Sequence, residues 1–151
     1  MFRDHVGAFI CLIIAFFCCC VTPFANMLVN QELQDRRNVI ADVDNFVDSV
    51  VDSRQITEPM LKEFNTKLAS YSLVLDYEIK REVLAIEPDP LHEGDWYPSY
   101  VVTDDNMHYN QGDHISVHVC TIGYNSAVSL GHSLCGIVLG DLDETITARV
   151  R

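Results

Sequence analysis

The sequence predicts an α+β fold with one long N-terminal helix, a short second helix and a small antiparallel β-sheet. Three observations predict it. Residues 6–31 carry no formally charged side chain. Residues 28–51 contain neither glycine nor proline and repeat apolar side chains at helical spacing. Two later segments alternate apolar and polar residues, as half-buried strands do. We therefore divide the chain into an N-terminal segment with a transmembrane helix (1–29), an amphipathic extension of that helix (30–53) and a small α+β domain (54–151).

The N-terminal segment is long and apolar enough to span a membrane. Its stretch VGAFICLIIAFFCCCV is apolar throughout, and a bilayer core needs about 20 apolar residues in a helix. A cleaved signal peptide is the alternative interpretation. Its apolar region would be unusually long, and its only small-residue site, Ala25, has Pro23 badly placed for cleavage. We expect a retained anchor. Basic residues near its two ends almost balance, so the charge rule leaves the orientation open.

Small side chains share one face of this predicted helix. Their gaps of three and four residues put them on one side, where small residues let helices approach closely in lipid. They are Gly7, Cys11, Ala15, Cys18, Thr22 and Ala25. Chance placement in an apolar segment is the alternative. Pro23 removes one amide and clashes with the carbonyl of Cys19, which predicts a helix kink or a locally melted turn.

The amphipathic extension repeats apolar residues close to a heptad spacing. Its seam contains Ile40, Val43, Val47 and Val50, while aspartates solvate the remaining surface. The small face leads directly into this seam. We expect both to pack against neighbouring helices, with part of the upper seam buried against the protein's own sheet. The predicted helix-packing residues are Gly7, Cys11, Ala15, Cys18, Ile40, Val43, Val47 and Val50.

The soluble domain begins with the short second helix. Thr57 is its predicted N-cap, and Pro59 lies near the helix start, where a missing amide is harmless. Its apolar face consists of Met60, Leu61, Phe64 and Leu68. The later predicted elements are a strand at 73–84, a proline-containing loop at 87–98, a short turn or helix from Thr103, a strand at 115–119 and a third strand at 133–139.

The net charge of −12 excludes some classes of partner. An acidic domain is repelled by phosphate backbones, so nucleic-acid binding is not expected. The same repulsion keeps the domain off an anionic membrane surface. The acidic loops near residues 89–95 and 104–113 lack the ligand spacing of a calcium loop, which favours a solvated acidic surface.

Few residues in the sequence indicate a metal site or a catalytic site. His114 and His118 share a strand face but lie about 13 Å apart, too far for one zinc ion. His118 and Cys120 would need two more ligands, from His108, His132 or Cys135, so polar strand positions are the favoured interpretation. The sequence contains no nucleophile motif, glycine-rich phosphate loop or recognisable acid–base carboxylate pair. We expect no metal, no cofactor and no enzymatic activity.

Two cysteines, Cys120 and Cys135, lie in the predicted soluble domain. If that domain is extracytoplasmic, they are candidates for a disulfide. Two buried thiols are the alternative interpretation.

The layout of the chain resembles the tight-adherence (TadE-like) minor pilins, a branch of the type IV pilin-like proteins. The resemblance covers most of the chain and depends on layout rather than on a catalytic signature. Its parts are a short polar start ending in Gly7, the apolar span with its amphipathic extension, NFVD at 45–48, ITEPM at 56–60, Phe64 and Leu68, DYEI at 76–79, and Gly112-Asp113 opening the strand 115–119.

This resemblance implies a pilin-like fold, a cytoplasmic N-terminus, an extracytoplasmic domain and hetero-oligomeric assembly through the N-terminal helix. The implied partners are a major pilin, an inner-membrane platform protein and a secretion ATPase. Precursors of this type are cut after a glycine, here Gly7, and carry a glutamate five residues on, where this chain has Leu12. That departure favours a membrane-retained accessory role. A membrane-anchored extracytoplasmic ligand-binding or sensor module is the alternative function.

Overall fold

The computed structural model describes residues 2–88, 95–105, 107–136 and 139–151. One long helix makes up the first third of the chain. It consists of α1 (Phe2–Phe16), a π-helical turn (Phe17–Val21) and α2 (Thr22–Ser53). Arg54 ends it in the left-handed conformation, with φ 56°, and its amide donates to the carbonyl of Val50 at 2.7 Å.

The second helix, α3 (Glu58–Leu68), follows a short extended connection. Thr57 is its N-cap residue in the extended conformation, and Pro59 lies in its first turn, as predicted. The helix packs onto α2 through aromatic rings. Phe64 stacks on Phe46 with ring centroids 4.4 Å apart and meets the edge of Tyr77 at 5.1 Å.

Four antiparallel strands form the sheet, in the order β2-β1-β3-β4. They are β1 (Leu73–Pro88), β2 (Trp96–Thr103), β3 (His114–Tyr124) and β4 (Asp143–Arg149). The predicted α+β class, with a long helix, a short helix and a small antiparallel sheet, is confirmed.

The hydrophobic core lies between one face of this sheet and the C-terminal half of α2. Alternation along β3 turns Ile115, Val117 and Val119 toward the helix, and all three are fully buried. The helix presents residues spaced by three and four to meet them. These are Val39, Val43, Phe46, Val47 and Val50.

Three sequence predictions within the domain were wrong. The first three residues of the predicted strand 133–139 instead end a helix, α4 (Ser126–Cys135), because the Asn125 side chain caps the Val128 amide at 3.0 Å and Gly136 ends the helix at φ 64°. The predicted loop 87–98 is wrong at both ends, because β1 continues to Pro88 and β2 begins at Trp96, while residues 89–94 lie outside the described residues.

The third concerns Thr103, where no helix begins. This residue is instead the last of strand β2. Strand β4 was not predicted, because its segment DETITAR contains a single large apolar residue.

Candidate functional site

Residues 5–20 of the long helix are exposed throughout, whereas Ala25 further along is buried. One helix, spanning residues 5–53, is long and apolar enough to cross a membrane, with mean hydropathy 2.5 in its most apolar window. The predicted packing residues Gly7, Cys11, Ala15 and Cys18 are all exposed on it. An added Cβ on Gly7 would meet nothing within 4 Å among the described residues. This surface is open to another helix or to lipid.

The π-helical turn ends at Val21, two residues before Pro23. The amide of Thr22 donates to the carbonyl of Phe17, and the Thr22 hydroxyl reaches the same oxygen at 3.2 Å. The wider turn accommodates one extra residue, which rotates the following side chains by roughly 100°. The small-residue face of α1 and the buried seam of α2 therefore lie on different sides, and the predicted continuous stripe is broken. A kink at Pro23 stays a prediction.

The upper seam is mostly internal. Val43, Val47 and Val50 are at most 1 % exposed because they pack into the core of their own domain. They are therefore not accessible to a neighbouring subunit, although the predicted role in subunit packing requires accessible side chains. Ile40 differs, with 37 % exposure. Only Ile40 of the four lies at the surface of the described domain.

A buried polar cluster lies just beyond the apolar half of the helix. Glu32 of α2 is fully buried, and its carboxylate accepts hydrogen bonds from Arg36 Nη2 and from His132 Nε2 of α4, each at 2.7 Å. The Tyr124 ring meets His132 edge to face at 4.9 Å. Burial raises the pKa of Tyr124, and its hydrogen bond to Asp141 raises it further. We call Glu32, Arg36, Tyr124 and His132 the proximal cluster.

The proximal cluster holds α4 against the long helix. Gly131 permits this contact, because an added Cβ would lie 3.1 Å from Leu28 Cδ1. The histidine and the carboxylate it binds are 100 residues apart in the chain. From the sequence, His132 was considered only as one of three possible further zinc ligands, and Glu32 was not singled out.

A second buried cluster lies at the other end of the domain. Arg81 of β1 donates to Asp113 from Nε at 2.8 Å and from Nη2 at 2.7 Å. Asp113 also accepts the Asn110 amide at 2.8 Å. The guanidinium carbon lies 5.7 Å from the centre of the Tyr109 ring, a cation–π contact. We call Arg81, Tyr109 and Asp113 the distal cluster; it fastens the segment between β2 and β3 to the sheet.

The Tyr109 hydroxyl in the distal cluster is buried without a hydrogen-bond partner among the described residues. Its burial raises the pKa of Tyr109 to about 12. A buried unpaired hydroxyl costs stability, because it has lost its hydrogen bond to water.

The predicted histidine and cysteine positions lie apart from both clusters. His114 stacks on Tyr100 at 4.1 Å, and His118 Nδ1 lies 3.1 Å from the Thr145 hydroxyl. Within the described ranges, no group of three histidine, cysteine or carboxylate side chains is arranged to hold a metal. Cys120 lies half-buried on β3, and the Cys135 side chain lies outside the described residues. The disulfide therefore stays a prediction.

An open cleft of about 650 Å³ lies where the end of α2 meets the end of β4. Asp48, Asp52, Arg149 and Arg151 contribute to its lining. The described lining contains charges of both signs but no histidine, cysteine or serine for acid–base or nucleophilic chemistry.

A scan against protein-family models and searches of curated proteins and of solved structures found no match for this chain.

Proposed function

We propose that this protein is a non-enzymatic, single-pass pilin-like accessory protein, a minor pilin of a Tad or type IV-like pilus or secretion assembly. Its N-terminus is cytoplasmic and its domain extracytoplasmic. One observation carries the proposal. A single long helix is uncovered and apolar in its first half and forms the spine of a small α+β domain in its second half. This division makes the first half the element available for assembly.

The partners are other pilin-like subunits and the assembly platform, bound through the membrane half of the helix. Lipid provides no hydrophobic drive between helices, so close packing at small residues stabilises such contacts. The exposed small face supplies Gly7, Cys11, Ala15 and Cys18. Of the upper seam, Ile40 remains accessible above the membrane. Leu12 takes the place of the glutamate of filament subunits, which favours a membrane-retained accessory role.

Enlarging the small face tests this assignment. With a photoreactive amino acid at Leu12, we expect crosslinks to a membrane partner in intact cells. The double variant Cys11→Leu with Ala15→Leu should lose most of that product while remaining in the membrane fraction. Phe9→Trp, which adds bulk on the opposite face, should retain it. Unchanged crosslinking in the double variant would contradict the proposal.

Intact-mass measurement of the protein extracted from membranes tests its processing. A full-length chain is the expected result for a retained accessory protein. A chain cut after Gly7 would instead indicate entry into a filament as a processed subunit. A chain cut after Ala25 would remove the anchor and overturn the proposal.

A further inference from the structure

The outward face of the sheet changes from polar to apolar at Glu82. The outward positions just before it on β1 carry Asp76, Glu78 and Lys80, and the neighbouring positions on β3 carry Ser116 and His118. Val74 and Ile122, at the far end of these two strands, are also exposed but lie outside this region. Every outward position beyond Glu82 on β1 and β2 is apolar or aromatic. These residues are Leu84, Ile86, Pro88, Trp96, Pro98, Tyr100 and Val102. We call this set the apolar arm face.

This face lies on a two-stranded projection. Strand β3 begins at His114, opposite Glu82, so the pairs from Val83↔Val101 to Pro88↔Trp96 join β1 and β2 alone. In the described part of the chain these pairs have no third strand beside them. A two-stranded ribbon is marginally stable in water without packing on a face. The projection therefore has a physical reason to bind something.

The exposure on this face is large. Ile86 is 70 % exposed, Trp96 66 %, Leu84 55 % and Val102 54 %. Contiguous exposed apolar side chains of this size are unusual in soluble domains and mark interaction surfaces. Tryptophan and tyrosine are also enriched at the centres of protein interfaces.

The projection points away from the apolar half of the long helix. Just before β1, the amide of Ser72 donates to the carboxylate of Asp35 in α2 at 3.0 Å. Nine residues later, Arg81 lies beside a segment whose Tyr109 amide donates to the carbonyl of Arg54, at the end of α2. Strand β1 thus runs along α2 away from the membrane-spanning half, so the bilayer holding the anchor does not cover the arm.

Charges around the arm indicate the chemistry of its partner. The described acidic residues next to the apolar face are Glu82 at its boundary, Asp95 before Trp96, and Asp104 just after β2, while Glu87 lies on the reverse face of the ribbon. The cations of β1 in this region are paired, Arg81 with Asp113 in the distal cluster and Lys80 with Glu78 at 2.8 Å. An acidic rim repels a second copy with the same rim, and it repels phosphate groups.

We propose that the apolar arm face docks a protein partner that presents aliphatic side chains within a rim of lysine or arginine. Burial of the aliphatic groups supplies affinity, and the opposite charges supply orientation and selectivity. This surface is separate from the small-residue face of the anchor, so it serves a different contact from the one under "Proposed function".

The chain's single tryptophan, Trp96, lies on the proposed surface and reports its occupancy. The full-length protein in phosphatidylcholine nanodiscs is titrated with an eight-residue peptide of alternating leucine and lysine. We expect a saturable blue shift of Trp96 emission that weakens as salt is added. The matched leucine–glutamate and serine–lysine peptides should give no saturable shift, because each lacks one of the two required features.

Two variants locate the binding surface. Leu84→Thr with Ile86→Thr should weaken the apparent Kd by at least about tenfold, with unchanged circular dichroism. Ile122→Thr alters an isoleucine that is 65 % exposed on the same sheet outside the arm, and should bind like the unaltered protein. Equal weakening in the two variants would overturn the proposal.

Four further outcomes would also overturn it. They are the absence of any saturable shift, an equal response to the leucine–glutamate peptide, a saturable shift with the neutral sugar cellohexaose, and a concentration-dependent Trp96 shift of the protein alone. The third would assign the surface to a glycan, and the fourth would assign it to a second copy of this chain.

Discussion

The proximal and distal clusters bury the same kind of ion pair at opposite ends of the domain, but they connect different parts of the chain. The distal cluster joins β1 to the segment that leads into β3, and both adjoin the main core. The proximal cluster joins one peripheral helix, α4, to the long helix near its apolar half. Ion pairs of the same chemistry therefore stabilise different amounts of the fold. Loss of the distal pair should loosen the whole domain, and loss of the proximal pair should release one helix.

The largest effect is expected from Arg81→Met. The substitution leaves Asp113 buried without its cation, and a lone buried charge costs about 3–5 kcal/mol. Equilibrium urea unfolding of the full chain in detergent micelles, followed by circular dichroism, measures this loss. The control Lys80→Met removes an exposed pair with Glu78 and should cost no more than about 1 kcal/mol. Equal losses of unfolding free energy in the two variants would contradict the larger role assigned to the distal cluster.

A smaller and local effect is expected from Glu32→Gln. It replaces charge-assisted hydrogen bonds to Arg36 and His132 with weaker neutral ones, a loss of about 1.5–3 kcal/mol. In hydrogen-exchange mass spectrometry, the amides of α4 should exchange faster while those of β1 and β3 remain protected.

Glu63→Gln is the matched control for this prediction. Glu63 also pairs with a cation four residues on, Lys67, but at the surface, where its side chain is 70 % exposed. Exchange in every element should be unchanged in this variant. Faster exchange throughout the sheet in Glu32→Gln would show that loss of the proximal pair also loosens the whole domain.

The helices that sequence predicted well are those whose own residues determine them. The spine formed by Val43, Val47 and Val50 follows from a regular apolar period over a long segment. The N-cap Thr57 and the early Pro59 mark the start of α3 locally. The strand predicted at 133–139 failed because SLCGIVL is a short apolar run, and such a run does not distinguish strand from helix. The helical state of its first three residues depends on the cap at Asn125, outside that run.

The two clusters and the apolar arm face could not be predicted because they depend on contacts between distant segments. Within α2, Glu32 and Arg36 look like an ordinary exposed pair four residues apart. Burial of Glu32 requires His132 on α4, a helix that the sequence analysis did not identify. The arm likewise depends on the register of β1 and β2 and on where β3 begins. The alternation of residues alone does not show that β3 begins only at His114, opposite Glu82.

The smallest effect, and one of opposite sign, is expected from Tyr109→Phe in the distal cluster. The ring and its contact with Arg81 remain, while a buried hydroxyl without a partner among the described residues is removed. We expect the free energy of unfolding at pH 7 to rise by up to about 1 kcal/mol. Tyr97→Phe, which alters a ring that is 41 % exposed, should leave it unchanged. A clear loss of stability in Tyr109→Phe would mean that the hydroxyl has a partner.

Alkaline unfolding gives an independent check of the same substitution. The pKa of Tyr109 is raised from 10.0 to about 12 in the folded protein. As pH rises between these values, the unfolded chain loses this proton first, so the folded state becomes less stable. Burial likewise raises the pKa of Tyr71 to about 12, so Tyr109→Phe should reduce the alkaline loss of stability without abolishing it. An unchanged alkaline profile would show that the Tyr109 hydroxyl ionises as readily in the folded protein as in the unfolded chain.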